Sequence, residues 1–185
     1  MIRLFVGLAL PDSMRSRLHT LAAGIPGARW IEPSAYHITL RFIGEVHENM
    51  AADIHVALTM VRRAPFALAV IGVGVFDQGS RIHSLWAGVA RVPSLLTLRG
   101  KVERVMVRQA GLAPETRRYA PHITLARLRG APTAKVQAFL AENNPFHTDS
   151  FTVDHFVLYS THQASSGAFY TPIADYPLDT SRNLP

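Results

Sequence analysis

The tetrapeptide His37-Ile38-Thr39-Leu40 recurs residue for residue as His122-Ile123-Thr124-Leu125. In each copy a polar residue alternates with an apolar one, the period of a strand with one buried face. His37 and Thr39 therefore project together, with Ile38 and Leu40 turned toward a core, and the second copy repeats this. Two further matches occur in the same order. Phe5-Val6-Gly7-Leu8-Ala9-Leu10-Pro11 parallels Trp86-Ala87-Gly88-Val89-Ala90-Arg91-Val92-Pro93, and Pro65-Phe66 parallels Pro145-Phe146. The offsets are 81, 85 and 80 residues from first match to last, and three ordered matches imply an internal duplication of about 80 residues.

Outward from these strands, the sequence predicts strands over 4–10, 36–43, 66–76, 85–90, 119–128 and 151–159, with a last one over 168–173. Helices are expected over 12–23, 48–62, 95–109 and 132–140. Gly24, Pro26 and Gly27 end the first helix, and Gly111 follows the third. Repeat one covers about 2–78 and repeat two about 83–160, with a C-terminal strand at 168–178. No long linker separates them, so one α+β domain of two lobes related by a pseudo-twofold axis is expected. If that axis brings the two strands side by side, a cleft gains two imidazoles and two hydroxyls.

Composition excludes several other chemistries. The 185 residues are 48% apolar and 17% charged, too apolar for a disordered chain. With no cysteine there is no disulfide scaffold, thiol nucleophile, iron–sulfur cluster or cysteine zinc site. The longest apolar run, 66–76, is too short to span a bilayer. Met1-Ile2-Arg3-Leu4-Phe5-Val6 reads as a strand rather than a signal peptide. A soluble cytoplasmic protein with no membrane partner is expected, with a monomer as the default. The net charge is +6, and all but Lys101 and Lys135 of the 19 basic residues are arginine. Arginine suits phosphate oxygens, although the same excess suits an arginine-rich solvated surface.

Paired imidazoles and hydroxyls fit hydrolysis of a cyclic phosphodiester. One imidazole activates water and the other protonates the leaving alkoxide, near the pH where imidazole does both. Thr39 and Thr124 can donate to the non-bridging phosphoryl oxygens. No metal or other cofactor is needed, and no carboxylate stands at an obvious ligand spacing beside either histidine. His19, His47, His55, His83, His147, His155 and His162 read as structural or surface groups, and Phe42 and Trp86 as core.

The chain resembles the 2H phosphoesterases, specifically the bacterial RNA 2′,3′-cyclic phosphodiesterases also called 2′-5′ RNA ligases. The resemblance rests on Arg3-Leu4-Phe5-Val6-Gly7-Leu8 with Pro11, on His37-Ile38-Thr39-Leu40-Arg41-Phe42-Ile43-Gly44-Glu45, and on Trp86 with Gly88. It extends to Tyr119-Ala120-Pro121-His122-Ile123-Thr124-Leu125-Ala126-Arg127, Tyr159-Ser160, Phe169-Tyr170 and Tyr176-Pro177-Leu178. It implies two antiparallel sheets flanking a central cleft, with helices outside. It also implies metal-free hydrolysis of RNA ends carrying a 2′,3′-cyclic phosphate to 2′-phosphates, with 2′-5′ joining as the reverse reaction. By the same resemblance His37 is the proton donor, His122 the proton acceptor, and Arg127 joins the threonines on phosphate.

Strand parity alone places Arg127 on the face opposite His122, unless a bulge or the strand end restores it. Parity places Arg41 with His37 at the cleft rim. Tyr36, Tyr119 and Tyr170 are candidates to stack a terminal base. The alternatives are a 2H phosphodiesterase acting on 2′-5′ oligonucleotides or another cyclic nucleotide, and a non-enzymatic RNA-end binder.

Overall fold

The structure is a computed structural model, and it describes residues 1–79, 81–164 and 167–179. The chain begins with β1 (Ile2–Ala9), α1 (Asp12–His19), β2 (Ala28–Trp30), a 3-10 turn (Pro33–Ala35), β3 (His37–Val46) and α2 (Glu48–Leu58). It continues through β4 (Phe66–Leu68), β5 (Val70–Gln78), β6 (Arg81–Val89), α3 (Pro93–Arg108) and β7 (His122–Leu128). It closes with α4 (Thr133–Asn143), β8 (Phe151–Val153), β9 (His155–Ala164) and β10 (Gly167–Pro177).

Helices and core follow the sequence spacing. Pro93 starts α3, and Leu95, Leu98, Val102 and Met106 recur on its one buried face. Met14 and Leu18 of α1, Ile54 and Leu58 of α2, and Val136 and Phe139 of α4 pack into the same core. Full burial of such a side chain contributes about 1.5–3 kcal/mol. Two helices stop earlier than the spacing predicts. After His19 and Leu58 the chain makes tighter three-residue bonds, Ala22 N to His19 O at 2.9 Å and Val61 N to Leu58 O at 3.1 Å. Leu21 and Val61 still reach the core from those turns. Among the described residues no helix is long and apolar enough to cross a membrane.

The strands form two four-stranded antiparallel sheets, ordered β10-β9-β1-β3 and β2-β7-β6-β5, and a small β4-β8 pair. β5 leaves its own repeat to pair with β6, and β9 returns to pair with β1. Each large sheet thus takes two of its four strands from the other half, β9 and β10 in one and β2 and β5 in the other.

Three expectations change. The strand over 66–76 breaks at Ala69, and that over 151–159 breaks at Asp154, each passing from the small pair into a large sheet. These breaks lie 85 residues apart, as His37 and His122 do. Pro65-Phe66 and Pro145-Phe146 are not counterparts: Phe66 pairs with Val153, whereas Phe146 lies outside the strands. In the remaining match Gly7 faces Thr39 but Trp86, not Gly88, faces Thr124, so the structural offset there is 79. The short strand β2 escaped the sequence reading because three residues behind Gly24, Pro26 and Gly27 carry no period.

Candidate active site

Two bulges build the site. Along β1 and β3, Gly7 faces Thr39 and Val6 faces Arg41, so Leu40 is an extra residue. Along β6 and β7, Trp86 faces Thr124 and Leu85 faces Ala126, so Leu125 is extra at the equivalent point. Each bulge reverses the alternation that follows it. Residues five beyond each histidine, Phe42 and Arg127, thereby join the face of His37, Thr39, His122 and Thr124. Arg41 and Ala126 turn to the opposite face.

These side chains meet in one cleft of about 480 Å³, lined also by Arg3, Arg29, Glu32 and Tyr170. The bulge at Leu125 delivers Arg127 to the cleft. Arg41 does not reach it. Its guanidinium ion-pairs with Glu103 at 3.0 Å and Glu115 at 3.3 Å, and donates to the Ala113 carbonyl at 2.6 Å. Tyr36 is 2% exposed and belongs to the core. Tyr119 lies outside the lining, with its phenol donating to the Thr39 carbonyl. Of the three tyrosines only Tyr170 lines the cleft, its ring edge-on to His37 at 4.8 Å. None of the other seven histidines lines it.

Phe42 is not core: it is 41% exposed, and the Arg3 guanidinium lies 5.1 Å above its ring. The duplication carried the signal, since Phe42 is to His37 as Arg127 is to His122. Trp86 is half-buried, its indole lying against Gly74. Arg3, Arg29 and Glu32 were also missed. Nothing in their local sequence marks them, because the cleft is assembled from strands distant in the chain.

Both imidazoles are held in the same way. His37 Nδ1 bonds the Ala35 carbonyl at 2.8 Å, and His122 Nδ1 bonds the Ala120 carbonyl at 2.7 Å. A carbonyl only accepts, so each Nδ1 carries the proton and each neutral ring keeps its Nε2 lone pair for the cleft. Aromatic rings back both: Phe5 lies 4.6 Å from His37, and Phe76 meets His122 edge-on at 4.7 Å. Burial in this wall pushes the His37 imidazole from 6.5 down to about 4, with the His122 and Arg127 charges adding to the effect and the Ala35 carbonyl opposing it. His122 is lowered too, by burial first and by Arg127, against the pull of the Ala120 carbonyl. Both rings are therefore neutral in the unliganded protein at pH 7. Among the described residues, no group of three or more histidines and carboxylates gathers to hold a metal ion.

A duplicated α+β fold with one His-x-Thr strand from each half facing a shared cleft defines a phosphoesterase of the two-histidine class. The family described as LigT-like phosphoesterase matches this chain twice, over residues 8–86 and 92–170, and the chain belongs to that family. A relative from Aeropyrum pernix, named RNA 2′,3′-cyclic phosphodiesterase, is 39% identical over 58% of this chain and 61% of its own length. One of the same name from Geobacillus stearothermophilus is 32% identical over 85% of this chain, and the match spans only half of that relative. The Aquifex aeolicus protein of that name is 25% identical over 96% of this chain and 97% of its own. Among solved structures, apo LigT of Escherichia coli superposes with a TM-score of 0.76 at 26% identity, covering 96% of this chain and 97% of that one. A Thermus thermophilus protein shares the fold, with a TM-score of 0.79 at 23% identity over 97% of this chain and all of that one.

Proposed function

We propose that this chain hydrolyses RNA ends bearing a 2′,3′-cyclic phosphate to 2′-phosphates, acting as a cytoplasmic monomer. The observation that carries the reading is the matched pair of imidazoles. Each is fixed through Nδ1 on the carbonyl two residues before it, leaving Nε2 for the cleft beside a threonine hydroxyl. An RNA-end binder needs no second imidazole, whereas acid–base hydrolysis needs two. The names of the relatives point to the same substrate.

In this reading Thr39 and Thr124 donate to the two non-bridging oxygens, and Arg127 offsets charge building on the phosphoryl group. His122 Nε2 takes a proton from water as the water oxygen attacks phosphorus. The bond from phosphorus to O3′ breaks, and His37 Nε2–H protonates the departing O3′. One water is consumed, leaving a 2′-phosphomonoester and a free 3′-hydroxyl. His37 becomes neutral, His122 becomes charged, and the next cycle needs one proton returned to His37 and one lost from His122. The incoming phosphate anion favours the imidazolium that burial disfavours, so the acid is charged only with substrate in place.

The test is end-group analysis of a short RNA with a 2′,3′-cyclic phosphate, incubated with the protein in excess EDTA. Conversion to a 2′-phosphate is expected. A 3′-phosphate product, or an unchanged end after prolonged incubation, overturns the proposal.

A further inference from the structure

One carboxylate lines a cleft that otherwise suits an anion. Among the described residues around it Glu32 is the only acidic one, and it is exposed. An ionised carboxylate repels phosphate and can only accept hydrogen bonds. Its backbone is held between the two catalytic motifs. Ile31 N donates to the Leu125 carbonyl at 2.8 Å, which anchors the segment to the strand of His122 and Thr124. Ala35 N donates to the Glu32 carbonyl at 2.8 Å across the 3-10 turn Pro33–Ala35, and the Ala35 carbonyl in turn holds His37 Nδ1. Three residues of such a turn rise about 6 Å. Glu32 therefore stands within the length of one nucleoside of His37, on a segment pinned at both ends.

Resting on the reading above, we infer that Glu32 reads the base of the terminal nucleoside and selects guanine. Connectivity of the substrate leaves little else for it to bond. O2′ and O3′ of that nucleoside are both in the cyclic phosphate and O5′ is esterified to the chain, so its remaining donors are on the base. Guanine presents N1–H and N2–H side by side on its Watson–Crick edge, which matches the two oxygens of one carboxylate. Adenine and cytosine each set one amino donor beside a ring nitrogen that only accepts. Uracil sets its single N3–H between two carbonyls. Each of these brings a lone pair against the carboxylate, and a site built on hydrogen bonds rejects a partner that cannot make them.

The experiment measures kcat/KM on short RNAs of one sequence whose terminal 2′,3′-cyclic phosphate is carried by guanosine, inosine, adenosine, cytidine or uridine. The wild type is expected to favour guanosine about tenfold over adenosine, cytidine and uridine, the effect of hydrogen bonds to a charged group. Inosine keeps N1–H and lacks the amino group, so it should fall between. Glu32→Ala should bring all the ratios toward one. Glu32→Gln puts a donating amide where one oxygen accepted, which complements the edges of adenine and cytosine, so it should favour those two over guanosine. A wild type indifferent to the terminal base or favouring another one, or a guanosine preference kept by Glu32→Ala, overturns the inference. Equal losses on every substrate leave the ratios intact and overturn it as well. These outcomes are distinct from failure of the proposed function, in which the wild type hydrolyses none of the RNAs.

Discussion

The phenol of Tyr119 donates a hydrogen bond to the backbone carbonyl of Thr39 at 3.1 Å. The donor belongs to the second half and precedes His122 by three residues, while the acceptor is in the first His-x-Thr strand. The bond ties the segment leading into the second His-x-Thr strand to the first one from outside the cleft, and the Arg99 guanidinium covers the Tyr119 ring at 5.5 Å. Tyr119→Phe keeps the ring and removes the donor. It should destabilise the protein by about 0.5–1.5 kcal/mol and lower kcat about three- to tenfold with little change in KM, as for a lost positioning contact. Steady-state kinetics beside a thermal melt checks this, and an unchanged kcat would remove Tyr119 from any positioning role.

Each histidine is expected to account for a factor of about 10²–10⁴ in turnover, so His37→Ala and His122→Ala should each lose that much while remaining folded. A cyclic substrate with sulfur in place of the leaving 3′ oxygen separates their roles, because a thiolate departs without a proton. His37→Ala should recover most of its activity on that substrate and His122→Ala should not. The opposite pattern would exchange acid and base.

The depressed imidazoles set the pH dependence. The proposed acid–base pair needs one ring protonated and one neutral, and the singly protonated pair is most abundant between the two macroscopic pKa values. Both rings lie below 6.5 in the free protein. The kcat/KM profile, which reports the free enzyme, should therefore fall about tenfold per pH unit above neutrality. Arg127→Gln removes a cation that opposes protonation of both rings and should move that limb to higher pH. A wild-type limb centred above pH 7.5 would contradict this. The same shift makes a stability prediction. The unfolded chain binds more protons than the folded one between about pH 4 and 6.5, so stability rises with pH across that window. Chemical denaturation at several pH values measures it.

Arg41 is a structural cation. Its side chain is 10% exposed, and the carboxylates of Glu103 and Glu115 that pair with it are 16% and 21% exposed. Arg41→Ala removes the shared cation between the two carboxylates, leaving Glu103 with Arg99 at 3.8 Å and Glu115 with Arg117 at 3.5 Å, a loss of about 1.5–3 kcal/mol. The melting temperature should drop by several degrees, with KM for the cyclic substrate unaltered at temperatures where the variant is folded. A raised KM with an unchanged melting temperature would return Arg41 to the cleft.

Gly74 admits no side chain, because a Cβ there would come within 2.2 Å of the Trp86 indole. Gly74→Ala must displace that indole, which lies 6.4 Å from the His122 ring and 5.5 Å from Phe76. The expected result is a loss of about 1–3 kcal/mol from overpacking, together with reduced kcat. Tryptophan fluorescence and turnover on the same sample check both.

The repeated His-x-Thr strands and the helix faces were legible because each rests on local periodicity, and the two-lobed fold because the tetrapeptide itself recurs. Four residues are enough to place His37 with Thr39, and Leu95 with Leu98 and Val102 form a helical stripe. Parity failed at Arg41, because alternation holds only until the backbone inserts a residue. Leu40 and Leu125 look like any other strand leucine. The one local mark of irregularity in β3 is Gly44, whose φ of +92° accompanies a second slip where Phe5 faces Phe42 and Leu4 faces Gly44. The exchange of β5 and β9 between sheets, and the gathering of Arg3 of β1, Arg29 of β2 and Arg127 of β7 about one cleft, depend on pairings far apart in sequence that no periodicity records.

That exchange bears on how the two walls of the cleft are held together. A cleft between two lobes joined by a single connection opens and shuts by rotation about that connection. Here β5 and β9 each cross to the opposite sheet, and β4 and β8 join beside them. Each crossing ties one wall of the cleft to the other through the chain itself, so the two walls are joined at more than one point.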